Sequence, residues 1–228
     1  MEVDVGIEVR DLAGLHEWSL ASALYRAVFG YTHPEFGISP RLLAALRENS
    51  GSVIGAFDGP ALVGFCYGFT AVDSGEIYHY SQAAAVAPRS QGLGIGRRLK
   101  FAQAEAARAT GARTMRWTFD PYALRNAHFN LSVLGATAVK FLPDYYDDGS
   151  SDRLLVTWNL TAAHPLPRGS GLPDVTCRAV HARFAAPEAA ERARLREALM
   201  ARFQDGGVLV AVETHGDQAI YRFERAAK

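Results

Sequence analysis

Residues 86–96 read Val-Ala-Pro-Arg-Ser-Gln-Gly-Leu-Gly-Ile-Gly, and an arginine-rich stretch with helical spacing follows at once. Three alternate glycines, Gly92, Gly94 and Gly96, permit a tight turn whose backbone N–H groups point inward. The helix they open adds its positive N-terminal dipole to those donors. Arg97 and Arg98 fall in its first turn, where a cation opposes the dipole and weakens the helix. Recognition of a phosphate would offset that loss, and the cluster Arg97, Arg98 and Lys100 suits a small anion. The spacing is G-x-G-x-G, not the G-x-G-x-x-G of dinucleotide folds, and the G-x-x-x-x-G-K-[ST] pattern is absent. The indicated chemistry is the binding of a phosphorylated ligand.

Composition narrows the partners. A chain of 228 residues makes one large domain, or one domain with a small appendage. An apolar share of 49% with 21% charged residues is enough to build a real core. Lys+Arg and Asp+Glu both total 24, and this neutral balance argues against nucleic acid as a main partner. Two cysteines, Cys66 and Cys177, are too few for a disulfide scaffold or a zinc site, so no metal is expected. With no apolar run of about 18 residues and no basic N-terminal segment, the expectation is a soluble, cytoplasmic protein without a membrane partner.

The elements that must carry the glycine loop follow from hydrophobic periodicity. A strand is expected over Val3–Val9, then a helix over Leu15–Phe29 with Leu20, Leu24, Ala27 and Val28 on one face. Ser39-Pro40 starts a second helix that ends near Gly51. Strands over Val53–Phe57, Ala61–Thr70 and Ile77–Val86 come next, the first two joined by an Asp58-Gly59 turn. The third runs straight into the loop. The loop's helix sets Ile95, Leu99, Ala102, Ala106 and Ala109 on one stripe and stops at Gly111. Thr114–Phe119 is a strand, and Leu124, Ala127, Leu131 and Leu134 form the buried stripe of another helix. Strands over Thr137–Leu142 and Leu154–Leu160 close this part. Residues 161–176, rich in proline and glycine, read as a linker. A helix over Pro187–Gln204 and a hairpin of Val208–Val212 with Ala219–Phe223 follow it.

The order strand, V-x-P-x-x-Q-G-x-G-I-G, helix resembles the coenzyme A pyrophosphate loop of the GNAT acetyltransferase superfamily. The resemblance spans residues 3–160. It extends to a less-studied branch through Gly55-Ala56-Phe57-Asp58-Gly59, Trp117-Thr118-Phe119-Asp120-Pro121, Arg125-Asn126-Ala127-His128-Phe129-Asn130 and Leu142-Pro143-Asp144-Tyr145-Tyr146. It implies an α/β (α+β) fold with a mixed, mostly antiparallel central sheet flanked by helices. The expected domain covers residues 1–160, with a linker at 161–176 and a C-terminal helix-hairpin extension at 177–228. That extension could serve as a lid, a sheet extension or a homodimer contact. The implied activity is transfer of an acetyl group from acetyl-CoA to a small amine or amino-acid-like acceptor. A non-catalytic acyl-CoA-binding or sensor protein is the alternative.

On that resemblance, backbone N–H groups of Gln91, Gly92, Leu93, Gly94, Ile95 and Gly96 would cradle the pyrophosphate, with Arg97 beside them in the cofactor site. The pantetheine arm would pair with the strand at Ala84, Ala85 and Val86. Asn126 and Phe129 would complete the cofactor site, although Asn126 and Asn130 could equally face solvent. The family's acid position, four residues before Gly135, is occupied here by Leu131. Acyl transfer needs a neutral amine, a polarised thioester and a protonated leaving thiolate. Tyr80 shares a face with Gln82, Ala84 and Val86 by period two and could hold a water or simply pack. Asp120 could orient an amine or cap the turn into the next helix. Tyr145 or Tyr146 could replace the missing acid. The acids Asp144, Asp147, Asp148 and Asp152 could attract a cation or form a solvated loop, and His79 and His128 read as packing or surface residues.

Overall fold

The computed structural model describes residues 6–161, 171–178 and 187–226. Its contacts gather into two units, Met1–Met115 and Arg116–Lys228. Both are built from antiparallel strands with flanking helices, and the fold is the mixed α/β type expected.

In the first unit β1 (Glu8–Asp11), β2 (Ser52–Asp58), β3 (Ala61–Asp73) and β4 (Glu76–Val86) pair antiparallel in chain order. The expected first strand is shifted towards the C-terminus, and residues 1–5 lie outside the described residues. Alternation along the strands sends side chains to two opposite layers. On one face α1 (Gly14–Phe29) and α2 (Pro40–Glu48) cover Val53, Phe57, Phe65, Tyr67 and Ala85. The inward stripe of α1 runs through Trp18, Ala21, Leu24, Tyr25 and Val28, whereas Ala27, expected inside, is exposed. On the other face α3 (Ile95–Ala109) sets Ile95 and Leu99 against Ile54, Ala56, Val63 and Cys66. Each large apolar side chain so buried contributes roughly 1.5–3 kcal/mol.

One irregularity decides how β4 faces these layers. Tyr67 pairs with Ala83 and Gly68 with Ser81, so Gln82 is an extra, bulged residue. The bulge reverses alternation along the strand. Tyr80 therefore shares the face of Ala83 and Ala85 and packs on Phe69, with ring centroids 5.4 Å apart. The expectation that Tyr80 and Ala84 share a face fails here, because period two does not survive an inserted residue.

The α3 face is not apolar throughout. Lys100 and Gln103 lie on the buried stripe of α3 and meet Ser81, His79 and Ser52 in a directed chain of hydrogen bonds. Lys100 Nζ donates to Ser81 Oγ at 2.7 Å, and Ser81 donates to Gln103 Oε1 at 2.7 Å. Gln103 Nε2 donates to Ser52 Oγ at 2.8 Å, and Ser52 lies 2.8 Å from His79 Nε2. Thr70 Oγ1 stands 3.4 Å from His79 Nδ1 and donates to Thr110 Oγ1 at 3.1 Å, which donates to the Ala107 carbonyl at 2.8 Å. The order assigns His79 the Nδ1–H tautomer, with Nε2 accepting from Ser52. Gly68 makes the room: a Cβ there would lie 2.7 Å from His79 Nε2 and 3.0 Å from Gln103 Nε2, and against the Tyr80 carbonyl.

The second unit orders its strands β5-β7-β6-β9-β10-β8. These are β5 (Thr114–Phe119), β6 (Thr137–Leu142), β7 (Arg153–Asn159), β8 (Val175–Arg178), β9 (Gly207–His215) and β10 (Gln218–Arg225). β6 pairs with β7 on one side and meets β9 through Ala138 and Leu209 on the other. The C-terminal segment is thus a sheet extension, and β8 takes up the end of the stretch read as a linker. The helix expected after Pro121 is one α turn, α4 (Leu124–Ala127), continued as a π turn over His128–Val133. Leu134 N–H donates to the Phe129 carbonyl at 3.0 Å, closing the wider i→i+5 ring. The α5 helix (Ala189–Gln204) ties in through Arg196, whose Nε lies 2.9 Å from Asp152.

Burial pushes Lys100 down to about 7, opposed by the Cys66 thiol, and pushes His79 down to about 4 with help from the Lys100 charge. Both are bases that bind protons less readily when folded. Their stabilising contribution is complete above the unfolded values and is lost as pH falls through the folded ones. For Lys100 the window runs from 10.5 down to about 7. The melting temperature of the wild type should therefore rise relative to that of Lys100→Met between these pH values, as read by calorimetric scans. A constant difference would contradict the buried, shifted amine.

Candidate functional site

β4 ends at Val86, a 3-10 turn follows at Pro88–Ser90, and α3 begins at Ile95. Between them Gly92 and Gly94 adopt φ of +84° and +75°, the left-handed region that glycine enters at no steric cost. Gly94 is the N-cap of α3, and no side chain caps the helix. The first intrahelical bond runs from the Arg98 N–H to the Gly94 carbonyl at 3.1 Å. The N–H groups before it have no partner within the helix and open beside a cavity of about 270 Å³ lined by Gly94, Arg97, Arg98 and Phe101. A glycine cap with no side-chain oxygen leaves these donors and the helix dipole for an anion.

The other loop residues divide between donor and brace. The Gln91 N–H donates to the Pro88 carbonyl at 3.3 Å, and its Nε2 donates to the Val86 carbonyl at 3.2 Å. Gln91 therefore braces the loop, and its N–H, expected in the cradle, is spent on its own turn. Arg98 donates to the Ile7 carbonyl at 2.6 Å, tying α3 to the lead into β1. Arg97 stands over the Phe101 ring at 4.7 Å and stays at the cavity. Lys100 is 4% exposed and points into the sheet, so it does not belong to the anion cluster. Leu93 is exposed at the loop tip, and Ile95 is buried beneath it. On β4, Ala84 is exposed and Val86 half-buried on the α3 side, whereas Ala85 is buried against the α1 and α2 layer.

In the second unit the Asp120 carboxylate accepts the Tyr122 N–H at 2.8 Å, the turn-capping arrangement. Asn126 is exposed on α4 and Phe129 half-buried on the π turn. Asn130 is buried and accepts the Trp117 indole N–H at 3.1 Å, because the π turn rotates it inward, away from Asn126. Tyr145 and Tyr146 are both exposed, with ring centroids 4.9 Å apart. The neighbouring acids are occupied. Asp144 accepts the N–H groups of Asp148 at 3.1 Å and Gly149 at 2.7 Å. Asp152 accepts the Tyr122 hydroxyl at 2.6 Å, the Asp144 N–H at 3.0 Å and Arg196. Burial alone would raise the Asp152 carboxyl, and these hydrogen bonds outweigh it and hold the group below the usual range. Among the described residues no group of acids, histidines and cysteines is arranged to hold a metal.

The family model for GNAT acetyltransferases matches residues 15–135, more than half of the chain. The chain belongs to the GNAT acetyltransferase family. Solved structures share its fold. A protein assigned to the GNAT family from Desulfovibrio desulfuricans matches with a TM-score of 0.57 at 18% identity, over 68% of this chain and 100% of its own. YncA from Salmonella typhimurium, solved with its cofactor acetyl-CoA, matches at 0.55 and 18% identity, over 70% of this chain and 97% of its own. The ribosomal-protein-S18-alanine N-acetyltransferase from Escherichia coli matches at 0.54 and 16% identity, over 70% and 97%. At these identities the likeness is one of fold. No curated protein matches the sequence.

As a GNAT enzyme the chain performs acyl-CoA-dependent acetyl transfer, with acetyl-CoA as co-substrate. The uncapped, glycine-led start of α3 fits the pyrophosphate of that donor. Leu131, at the family's acid position, is 3% exposed and packed, so it supplies no proton there. Two polar groupings escaped sequence reasoning. Lys100 with Gln103 reads as part of a solvated helix face, and its only sequence signal is that both lie beside Leu99 and Ala104 on the inward stripe. The Tyr122–Asp152–Arg196 grouping joins residues 30 and 44 positions apart, a distance no local pattern spans. Among the described residues no helix is long and apolar enough to cross a membrane.

A carboxylate at Gly94 would stand against the ligand phosphates. Gly94→Glu should weaken acetyl-CoA binding by about 100-fold in calorimetry, from like-charge repulsion at the helix N-terminus. Gly94→Ala, which carries the same left-handed backbone strain without charge, should lose roughly tenfold or less. Equal affinities for wild type and Gly94→Glu would refute the assignment of this loop.

Proposed function

We propose that this enzyme transfers the acetyl group of acetyl-CoA to the amine of a small or amino-acid-like acceptor. The uncapped N-terminus of α3, at the end of β4, is the observation that carries the reading. In it the N–H groups from Gly92 to Arg97 receive the pyrophosphate, and the pantetheine arm lies along β4 at Ala84 and Val86. The neutral amine attacks the thioester carbon, a C–N bond forms, the C–S bond breaks, the amine proton leaves to water or a base, and the thiolate takes up a proton. We assign that last proton to Tyr145, an exposed hydroxyl in the segment the family resemblance singles out. For Tyr80 the packing on Phe69, and for Asp120 the turn cap, support structural roles.

An aromatic ladder in the first unit supports an amine acceptor. Phe36, Tyr31, Phe29 and Tyr25 contact one another in sequence at centroid distances of 4.8–5.9 Å, and Tyr25 meets Phe65 at 6.3 Å. Phe65 pairs with Ala85 on β4. The outer rings are exposed, and the Glu35 carboxylate lies 3.5 Å from His33, whose ring meets Phe36 edge-on, so in this reading an ammonium would find aromatic rings with a carboxylate in the same segment. The alternative, a non-catalytic acyl-CoA sensor, is favoured by one observation, the burial of Leu131 at the acid position.

Thiol release from acetyl-CoA across a panel of small amines and amino acids separates the two. Turnover is expected, and tight binding with no turnover on any amine would select the sensor. Phe36→Ala should raise the acceptor KM several-fold and leave the acetyl-CoA KM unchanged. Tyr145→Phe should lower kcat by about tenfold or more without weakening acetyl-CoA binding, within the range removed with a general acid. An unchanged kcat would remove Tyr145 as the acid.

A further inference from the structure

The buried chain that starts at Lys100 is not used by the chemistry described above, yet it joins the two elements that hold the donor. Lys100 is on the second turn of α3, and its amine donates to Ser81, the residue immediately before the Gln82 bulge. Ser81 is 3% exposed and passes its own proton to Gln103, so both its donor and its acceptor capacity are engaged with α3. Gln103 lies one turn further along the helix and carries the contact on to β2 through Ser52. Gly68, opposite the bulge, has no Cβ and admits both Gln103 and His79. A lysine in this place is costly to bury, and a leucine of similar volume would satisfy the helix stripe. The polar chain instead fixes distance and register, which apolar packing does only loosely.

We propose that Lys100, acting through Ser81, is a positioning residue for acetyl transfer: it holds the bulged segment of β4 at a set height against α3. This rests on the reading of the α3 N-terminus and of Ala84–Val86 as the donor site. The pyrophosphate end depends on the first turn of α3, which the loop glycines shape by themselves. The acyl end depends on where β4 leaves its bulge, and there Ser81 ties the strand to the helix through Lys100 and Gln103, while His79 of the same strand meets Ser52 of β2. Loss of the tie therefore moves the acyl end and spares the phosphate end.

The test uses Lys100→Met, which keeps the length of the side chain, and Ser81→Ala, which removes the oxygen it contacts. Hydrogen exchange read on the β4 peptide should quicken at least tenfold at residues 82–86 in either variant, while the α1 and α2 peptides keep their wild-type rates. With the best amine of the panel, each variant should lose about tenfold in kcat with the acetyl-CoA KM within twofold of wild type. The double variant should be no worse than the poorer single one, because both break one tie. Unchanged exchange at β4 in a folded variant overturns the proposal, and so does a raised acetyl-CoA KM with normal kcat. Losses that multiply in the double variant also overturn it. Should Lys100→Met fail to fold, Ser81→Ala decides alone. A wild type that turns over no amine would count against the transferase reading, and the exchange measurement would still judge Lys100.

Discussion

The placement of α3 is the constraint on which the proposed donor site depends. Its apolar stripe, Ile95 and Leu99, is held by ordinary packing against β2 and β3. Packing of that kind tolerates small slides and rotations. The hydrogen bonds that Lys100 and Gln103 donate, and the one that Thr110 accepts from Thr70, do not, since each requires a partner within about 3 Å along a defined direction. Arg98 adds a fourth tether at the opposite face by donating to the Ile7 carbonyl. The uncapped helix end is thereby fixed by polar contacts several residues downstream.

Much of this was legible in the sequence. The glycine loop, the Ser39-Pro40 helix start and the hairpin turn after β2 follow from residues with strong local preferences, and the structure contains each, the turn falling one residue later than expected, at Gly59-Pro60. What escaped has a common cause. The Gln82 bulge inserts one residue without leaving any compositional mark, so every face assignment upstream of it inverts, Tyr80 among them. Lys100 and Gln103 are hydrophilic residues on a stripe that hydrophobic counting cannot credit. The π turn at His128–Val133 widens a helix whose leucine spacing looks like an ordinary one, and it moves Asn130 from the surface into contact with Trp117. In each case a non-local partner sets the conformation, and local preference is overridden.

The C-terminal segment shows the same division between local and distant control. Its helix and hairpin were visible as amphipathic periods, but their attachment was not. Arg196 of α5 reaches Asp152, Arg192 stands 4.4 Å over the Tyr122 ring, and the Tyr221 hydroxyl of β10 donates to the Pro121 carbonyl at 2.9 Å. Arg192 and Tyr221 thus bear on the two residues after Asp120, and Arg196 on the carboxylate that accepts the Tyr122 hydroxyl. The second unit is held together through the turn that ends β5, so the extension is part of that unit's core architecture and no loose appendage.

The direction of the buried chain carries one more consequence. Hydroxyls can reverse their role by rotating a proton, but the Gln103 amide sits mid-chain with its oxygen towards Ser81 and its nitrogen towards Ser52. Turning it over would require Ser81, Ser52 and His79 all to exchange donor and acceptor roles together. The array changes polarity only as a unit, and in the present arrangement every oxygen in it presents its negative side towards the amine. The helix with the glycine-led end is thus tied to its sheet by bonds that change role together.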